Sequence, residues 1–416
     1  MTRTNVQHDA KPGPLQRCQI CGSNHLRLII DLGHQPPCDA LLTVAQLHQP
    51  EVTYPLRLMQ CEECSLAQLD YVVPAATVYP ASYPYKAGIS WPVVAAHKAM
   101  AAALVERFGP GLVVDVGCND GTLLAQFKAL GCPVFGVEPT DIAKVAMGNG
   151  IPTHHAFFSE YLARYHFERD KAHLMTFTNV FAHMGDLGEV MRGICVLLAK
   201  DGVLVVENHY LMDVLALNQF DTIYHEHVRT YTLKSLVTLF AQYGLEVFDV
   251  ERVPRYGGNI RVYVGWTGGR PIGERVADLL SLEGDVGLNT AERWAKFRDG
   301  VYRARDDLVQ CLTVARGDGG TVVGCSAPGR ASTLLNFCGI GPDLLPWTGE
   351  LEGSLKIGKY LPSSHIPVVS NKRIVEEQPD ALILLSWHYA TEIAARLRNE
   401  GVRSKLIVPL PEFGVA

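Results

Sequence analysis

A chain of 416 residues, 48% hydrophobic and 19% charged, is long enough for two or three cores and too apolar to stay disordered. Its formal charge of −6 lacks the basic excess of a nucleic-acid binder, and no apolar run approaches the ~18 residues of a membrane span. The first stretch, MTRTNVQHDAKPGPLQRC, has no apolar h-region and reads as a frayed tail, not a signal peptide. Eleven cysteines without an export signal favour thiols and metal ligands in a reducing cytoplasm.

Two Cys-x-x-Cys pairs come first, CQIC (Cys18, Cys21) and CEEC (Cys61, Cys64). Each pair suits a tight knuckle, and two knuckles close a tetrahedral four-thiolate zinc site with no open position, hence structural. Residues 22–60 separate the pairs, more than the usual ~15–20, so a lobe must bulge between the knuckles. Cys38, inside that lobe, reads as packing. The expected zinc-binding domain spans residues 1–70. A Tyr-rich linker follows, VYPASYPYKAGISW, whose Tyr79, Tyr83 and Tyr85 suit either a lid or plain packing.

From Gly111 the pattern is strand (GLVVDVG), helix (CNDGTLLAQFKALG), strand (PVFGVEP), with Glu138 at the carboxyl edge of the second strand. That is the first unit of a doubly wound α/β sheet, whose ligands bind beyond the carboxyl ends of its strands. Gly117 and Gly121 let the backbone approach a ligand, and Glu138 can accept both hydroxyls of a ribose. The turn reads Asp115-x-Gly117-x-Asn119-x-Gly121 in place of G-x-G-x-x-G. An acid before the first glycine suits a cationic ligand with an amino-acid end better than a pyrophosphate. The turn resembles the S-adenosylmethionine turn of class I methyltransferases; an NAD site with a degenerate loop is the alternative.

Further strands end at Asn179, with His183 just beyond, and at Glu207-Asn208-His209. YHEHVRTYT follows, bringing Tyr224, His225, Glu226 and His227 to the ligand side. If that segment is extended, His225 and His227 share one face and Tyr224 and Glu226 the other. Proton transfer, a catalytic metal and a purely structural polar turn are the readings open to it. A helix, a strand, a Gly-Gly turn and a closing strand complete a domain expected over 71–266.

Residues 267–416 begin with a charged helical stretch and then read as a smaller Rossmann-like unit. GCSAPGRAS lacks the dinucleotide fingerprint, so no second cofactor is expected. A glycine-bearing turn before a helix can contact an anion with help from Arg330, or be a plain structural loop. Lys356 and Lys359 read as solvated charges.

DVGCNDGTLL, the asparagine–histidine segment, YHEH and RYGGNIRVYV, in this order behind a four-cysteine module, resemble the sugar C-methyltransferases. The resemblance covers essentially the whole chain. It implies a class I methyltransferase core between a zinc-binding domain and a smaller C-terminal Rossmann-like domain. It also implies S-adenosylmethionine and structural zinc as cofactors, and a dTDP-linked 4-ketosugar as substrate. The family's catalytic tyrosine, glutamate and histidine fall on Tyr224, Glu226 and His227, and its upstream histidine on His183. Methylation beside a ketone needs a base for the C–H proton, and His227 is the expected base, oriented by Glu226. Tyr224 and His183 would bond the ketone oxygen or sugar hydroxyls. Cofactor contacts are expected from Asp115, Gly117, Asn119, Gly121, Glu138, Pro139 and Asn179. Substrate contacts are expected from Tyr79, Tyr83, Asn208, His225 and Asn259. A monomer is expected, with no nucleic-acid or membrane partner. An NAD-dependent sugar oxidoreductase or epimerase would want Tyr-x-x-x-Lys, which both Tyr243–Val247 and Tyr256–Ile260 fail. An inactive zinc-ribbon scaffold is the remaining alternative.

Overall fold

The computed structural model describes residues 11–167 and 171–415. Most of the expected frayed tail, residues 1–10, lies outside them, but Gly13–Pro14 pairs antiparallel with Tyr71–Val72. The N-terminal module is a meander of β1 (Leu26–Gln35), β2 (Tyr54–Cys61) and β3 (Ala67–Leu69). Its fourth strand comes from far along the chain. Arg229–Thr230, just after the YHEH segment, pairs antiparallel with Gln68 and Ala67 of β3. The four-cysteine module therefore clamps the end of the candidate catalytic segment.

After a long helix, α1 (Trp91–Phe108), the central sheet is laid down by β4 (Val113–Val116), β5 (Val134–Val137), β6 (Thr153–His154), β7 (Ala172–Thr178), β8 (Leu198–His209), β9 (Leu245–Val253) and β10 (Asn259–Trp266). Their spatial order is β9-β10-β8-β7-β4-β5-β6, parallel from β8 to β6, with antiparallel β9 and β10 closing one side. All four residues of β4 are buried, as a strand covered on both faces requires. Between β4 and α2 (Thr122–Ala129) the chain turns sharply. Gly117 (φ +71°) sits there, and a Cβ on it would lie 2.4 Å from Val180 Cγ2, so no other residue fits without moving the β7 loop.

The charged stretch forms two helices, Glu274–Asp285 and α3 (Ala291–Gly317). Trp294 of α3 is fully buried and donates to Gln60 of β2, which joins the first and last thirds of the chain. The C-terminal unit is a second sheet of β11 (Val322–Cys325), β12 (Thr348–Glu350), β13 (Val368–Ser370), β14 (Ala381–Leu384), β15 (Lys405–Val408) and β16 (Gly414–Val415), ordered β13-β12-β11-β14-β15-β16. Its first helix, α4 (Gly329–Cys338), packs on the Phe220–Thr222 turn, with Phe337 5.3 Å from Phe220. One apolar cluster runs through all three units, including Ile29, Phe181, Phe220 and Leu335. No helix among the described residues is long and apolar enough to cross a membrane.

Candidate active site

The four thiols of Cys18, Cys21, Cys61 and Cys64 lie within 4.8 Å of one another, all unbridged, with Cys18 and Cys64 sulfurs 3.4 Å apart and Cys21 and Cys61 3.5 Å apart. Sulfurs at the corners of a tetrahedron around zinc stand roughly 3.8 Å apart, from a Zn–S bond of about 2.3 Å. The donor set and spacing fit structural zinc. The lobe between the knuckles extends past β1, and its Asp39 reaches a cavity shared by all three units.

That cavity has a volume of about 820 Å³ and opens beyond the carboxyl ends of β4, β5 and β7. At one end Asp115 is buried, its carboxyl pushed up to about 7 by burial, with the Thr176 hydroxyl 2.6 Å away and no cation beside it among the described residues. Glu138 stands at the end of β5. Its Oε1 accepts the Thr140 N–H and hydroxyl at 2.9 and 2.7 Å, and its Oε2 accepts the Asn119 N–H at 3.1 Å. A carboxylate has about four lone-pair positions, so Glu138 organises the turn and keeps little capacity for a diol. Asn119 binds the linker, accepting from Ala87 N–H at 2.9 Å and donating to the Tyr85 carbonyl at 3.1 Å. Pro139 and Asn179 complete this end. The Asn179 amide nitrogen and the Thr178 hydroxyl are buried without partners in the cavity wall. A buried acid awaiting a cation and unsatisfied polar atoms fit S-adenosylmethionine, which brings an ammonium, a sulfonium and many polar groups. Gly121 faces elsewhere: a Cβ there would meet Ile151 and Ala146, so it serves packing under α2.

At the other end the YHEH segment departs from expectation. It is a turn, closed by the His227 N–H on the Tyr224 carbonyl at 2.8 Å, and side chains do not alternate across it. Tyr224 and His227 share a face with ring centroids 4.1 Å apart. His225 goes the other way, its Nε2 3.3 Å from the Pro55 carbonyl and its ring edge-on to Tyr54 of β2. It anchors the turn to the zinc module.

His227 donates from Nδ1 to the Thr222 carbonyl at 2.7 Å, which leaves Nε2 as the acceptor, without a hydrogen-bond partner among the described residues. Burial, with the Arg330 cation adding to it, pulls its pKa down to about 4, so the ring is neutral at pH 7. His183 stacks 5.1 Å from it and His209 lies at 4.8 Å. Burial holds both rings well below the usual histidine value, helped by His227. The His183 Nε2 has no partner, and Tyr79 also stacks on the His183 ring at 5.6 Å.

Glu226 does not orient His227. Its carboxyl accepts the Tyr83 hydroxyl at 2.8 Å and the Cys38 thiol at 3.3 Å, and burial first, then Asp39, pushes it up to about 8. Cys38 is buried, as packing requires, and its thiol also bonds Glu226. Lys356 is not solvated either: it is 5% exposed, its ammonium 2.6 Å from Asp39 Oδ1 and 2.9 Å from the Ala327 carbonyl. A buried ammonium needs such partners. Lys359 is half-buried.

Two expected substrate contacts sit behind the wall. Asn208 is 2% exposed and accepts the Ala182 N–H, while Asn259 is fully buried, donating to Asn179 and to Glu207. Those bonds occupy both side chains inside the fold, so they brace the site from outside the cavity. Arg330 is no free anion ligand, because Asp221 holds its guanidinium through two bonds of 2.8 Å. Sequence reasoning gave no site role to Asp39, Lys356, His209, Arg255 or His388, all of which line the cavity.

A parallel sheet carrying this cofactor end, behind a four-thiol module, defines a zinc-containing class I methyltransferase. Family profiles agree: a zinc binding domain matches residues 18–79, a methyltransferase domain 95–250, and a C-methyltransferase C-terminal domain 254–411. The C-methyltransferase NovU of Streptomyces niveus is 34% identical over 412 residues, covering 96% of each chain. The chain belongs to this C-methyltransferase family and is an S-adenosylmethionine-dependent C-methyltransferase. Solved methyltransferases align with less than half of it. The magnesium protoporphyrin IX methyltransferase of Synechocystis PCC 6803 with bound SAH is 14% identical over 41% of this chain and 81% of its own, at a TM-score of 0.33. The mitomycin 7-O-methyltransferase MmcR is 18% identical over 42% and 54%, also at 0.33.

Proposed function

We propose that this enzyme methylates a dTDP-linked 4-ketosugar at the carbon next to the ketone, with His227 as the base that removes the α proton. The observation that carries the reading is the state of His227. Its Nδ1 proton is fixed on a backbone carbonyl, its Nε2 has no protein partner, and the ring is neutral at pH 7. A neutral imidazole with an open Nε2 is a general base. A resting pKa of about 4 makes it a weak one, but the imidazolium forms together with an enolate oxyanion, and the two charges stabilise each other in a dry cavity.

S-adenosylmethionine, when bound, would supply an electrophilic sulfonium methyl for the enolate carbon, with the thioether S-adenosylhomocysteine as the leaving group. The chain's own residues do the rest. Tyr224 lies against His227 and, with the unpartnered His183 Nε2, offers hydrogen bonds for the ketone oxygen or a sugar hydroxyl. Tyr79 and Tyr83 wall the sugar space, and Asp115 and Glu138 hold the cofactor end. A nucleotide fits the remaining space. The Nε of Arg255 is buried without a partner, its Nη1 makes only a long 3.5 Å contact with Glu207, its guanidinium lies 4.8 Å from the Tyr256 ring, and Tyr85 and Tyr389 stand beside Tyr256. A cation among aromatic rings suits a diphosphate and a base. All eleven cysteines are unbridged, which supports a reducing cytoplasm as its compartment.

A panel of dTDP-4-ketosugars incubated with enzyme in deuterated water, with and without S-adenosylmethionine, tests this reading. Deuterium at the α carbon and methylation of at least one sugar are expected. A panel that shows neither, with enzyme that binds the cofactor, would sink it.

A further inference from the structure

We infer that Arg330, from the C-terminal domain, is a positioning residue for His227, acting through Asp221 and the Thr222 carbonyl. The inference rests on His227 being the base. Arg330 stands at the start of α4, 5% exposed. Its Nε and Nη2 grip the two oxygens of Asp221 at 2.8 Å each, and Nη2 also reaches Gln219 Oε1 at 3.1 Å. Its guanidinium carbon lies 4.9 Å over the Trp387 ring, and Trp387 donates its indole N–H to the same Asp221 at 2.8 Å.

Asp221 is the middle of the one-turn helix Phe220–Thr222, and the next carbonyl along the chain is the one that receives the His227 Nδ1 proton. The start and the middle of that turn are thus held from the C-terminal domain. Gln219 is gripped by Arg330 and donates to the Gly257 carbonyl at 2.7 Å, while the Thr222 hydroxyl donates to the Gln219 carbonyl at 2.8 Å. A bidentate fork fixes direction as well as distance, which an ammonium at the same place does not. Without the fork the Thr222 carbonyl is free to rotate, the Nδ1–H loses its acceptor, and the other tautomer, with its proton on Nε2, becomes available. That tautomer cannot take a proton at Nε2. The same guanidinium also repels the imidazolium. The other titratable groups around His227 are Tyr224, His183 and His209, and Arg330 itself faces His388 at 2.9 Å and the Tyr256 carbonyl.

The experiment compares Arg330→Gln, Arg330→Lys and Asp221→Asn with the parent in the full-length enzyme. Histidine labelled with nitrogen-15 reports the ring tautomer, with His227→Asn identifying the His227 signal. The parent shows a slowly exchanging Nδ1 proton on His227. Arg330→Gln and Arg330→Lys are expected to lose or speed that exchange and to lower kcat at least tenfold, with the KM for S-adenosylmethionine unchanged. The acid limb of kcat separates charge from geometry. Losing the Thr222 bond lowers the His227 value and losing the cation raises it, so Arg330→Lys and Asp221→Asn, which keep the cation, move the limb down, and Arg330→Gln, which also removes the cation, lies above them. If Arg330→Gln fails to fold, the other two variants decide. An unchanged His227 ring proton together with unmoved acid limbs in the folded variants overturns the inference, even if activity falls. Should His227→Asn keep parental turnover, the base assignment fails instead, and the ring signal still reports on the positioning.

Discussion

His227 gives its Nδ1 proton to the Thr222 carbonyl at 2.7 Å, while Glu226, its neighbour in sequence, turns to Tyr83 and Cys38. The pair that YHEH suggests on paper is not a pair in space. A backbone carbonyl sets the tautomer, so replacing Glu226 leaves the base in its working form.

Glu226→Gln is therefore expected to keep the acid limb of kcat set by His227 and to change stability instead. Glu226 has a folded value of about 8, raised above its unfolded range by burial. Between pH ~4.5 and ~8 the folded state binds the extra proton, so the stability this carboxyl contributes is present below its unfolded pKa and falls as pH rises toward 8. The glutamine variant lacks that term. Melting temperature measured from pH 6 to 9 should decline less steeply for Glu226→Gln than for the parent. Parallel declines, or a shifted acid limb, would contradict the arrangement around Glu226.

Glu138 gives a second test. Its carboxylate anchors Asn119 and Thr140 as well as facing the cofactor space. Glu138→Ala is expected to weaken S-adenosylmethionine binding chiefly by loosening the turn held through Asn119 and Thr140, with a ribose bond to the one remaining acceptor position adding roughly 1.5–3 kcal/mol. Glu138→Gln keeps one carbonyl oxygen and should lie between. Calorimetry showing parental affinity for the alanine variant would remove Glu138 from the cofactor site.

The zinc assignment predicts about one tightly held zinc per chain in protein prepared without chelator. Cys61→Ser should lower melting temperature or yield more than it changes KM in the molecules that fold. Arg229–Thr230 pairs with the zinc module, so loss of metal should also loosen the neighbouring catalytic turn and lower kcat. Metal analysis that finds no zinc would end this account.

The legible parts of the site were those written locally. Two Cys-x-x-Cys knuckles announce their own geometry, and Asp115 and Glu138 follow from strand periodicity, because a parallel strand delivers its last residues to one edge of the sheet. Asn208 and Asn259 show the limit of that rule. Both stand near strand ends, but Asn208 is taken up by the Ala182 N–H and Asn259 by Asn179 and Glu207, partners that only the folded sheet brings to them. Adjacency in YHEH suggests that Glu226 orients His227, but the chain makes a turn held by β2 and β3 that points Glu226 at Tyr83 and Cys38. Asp39 and Lys356 were out of reach altogether. They meet across 317 residues, and neither sits in a pattern that local chemistry requires.

The base itself is tested by His227→Asn. The asparagine amide can still donate to the Thr222 carbonyl, so the turn and both ligand affinities should survive, which binding measurements would verify. Turnover should fall by about 10²–10⁴, the usual loss on removing a general base. Exchange of the substrate's α hydrogen with deuterated solvent is the sharper reading, because it needs the base and not the methyl donor. His227→Asn should lose exchange and methylation together, whereas Glu138→Ala should keep exchange while losing methylation at low cofactor concentration. The pH profile adds a sign. The His227 value is depressed to about 4, so the neutral, active ring is present above that pH and is lost only as pH falls through it. The acid limb of kcat should therefore lie well below the ~6.5 of a free imidazole, in protein that is still folded. Tyr224→Phe should keep exchange at a reduced rate if the phenol serves only to bond the ketone oxygen. If His227→Asn turns over near the parental rate and Tyr224→Phe is inactive, the phenolate of Tyr224 is the base.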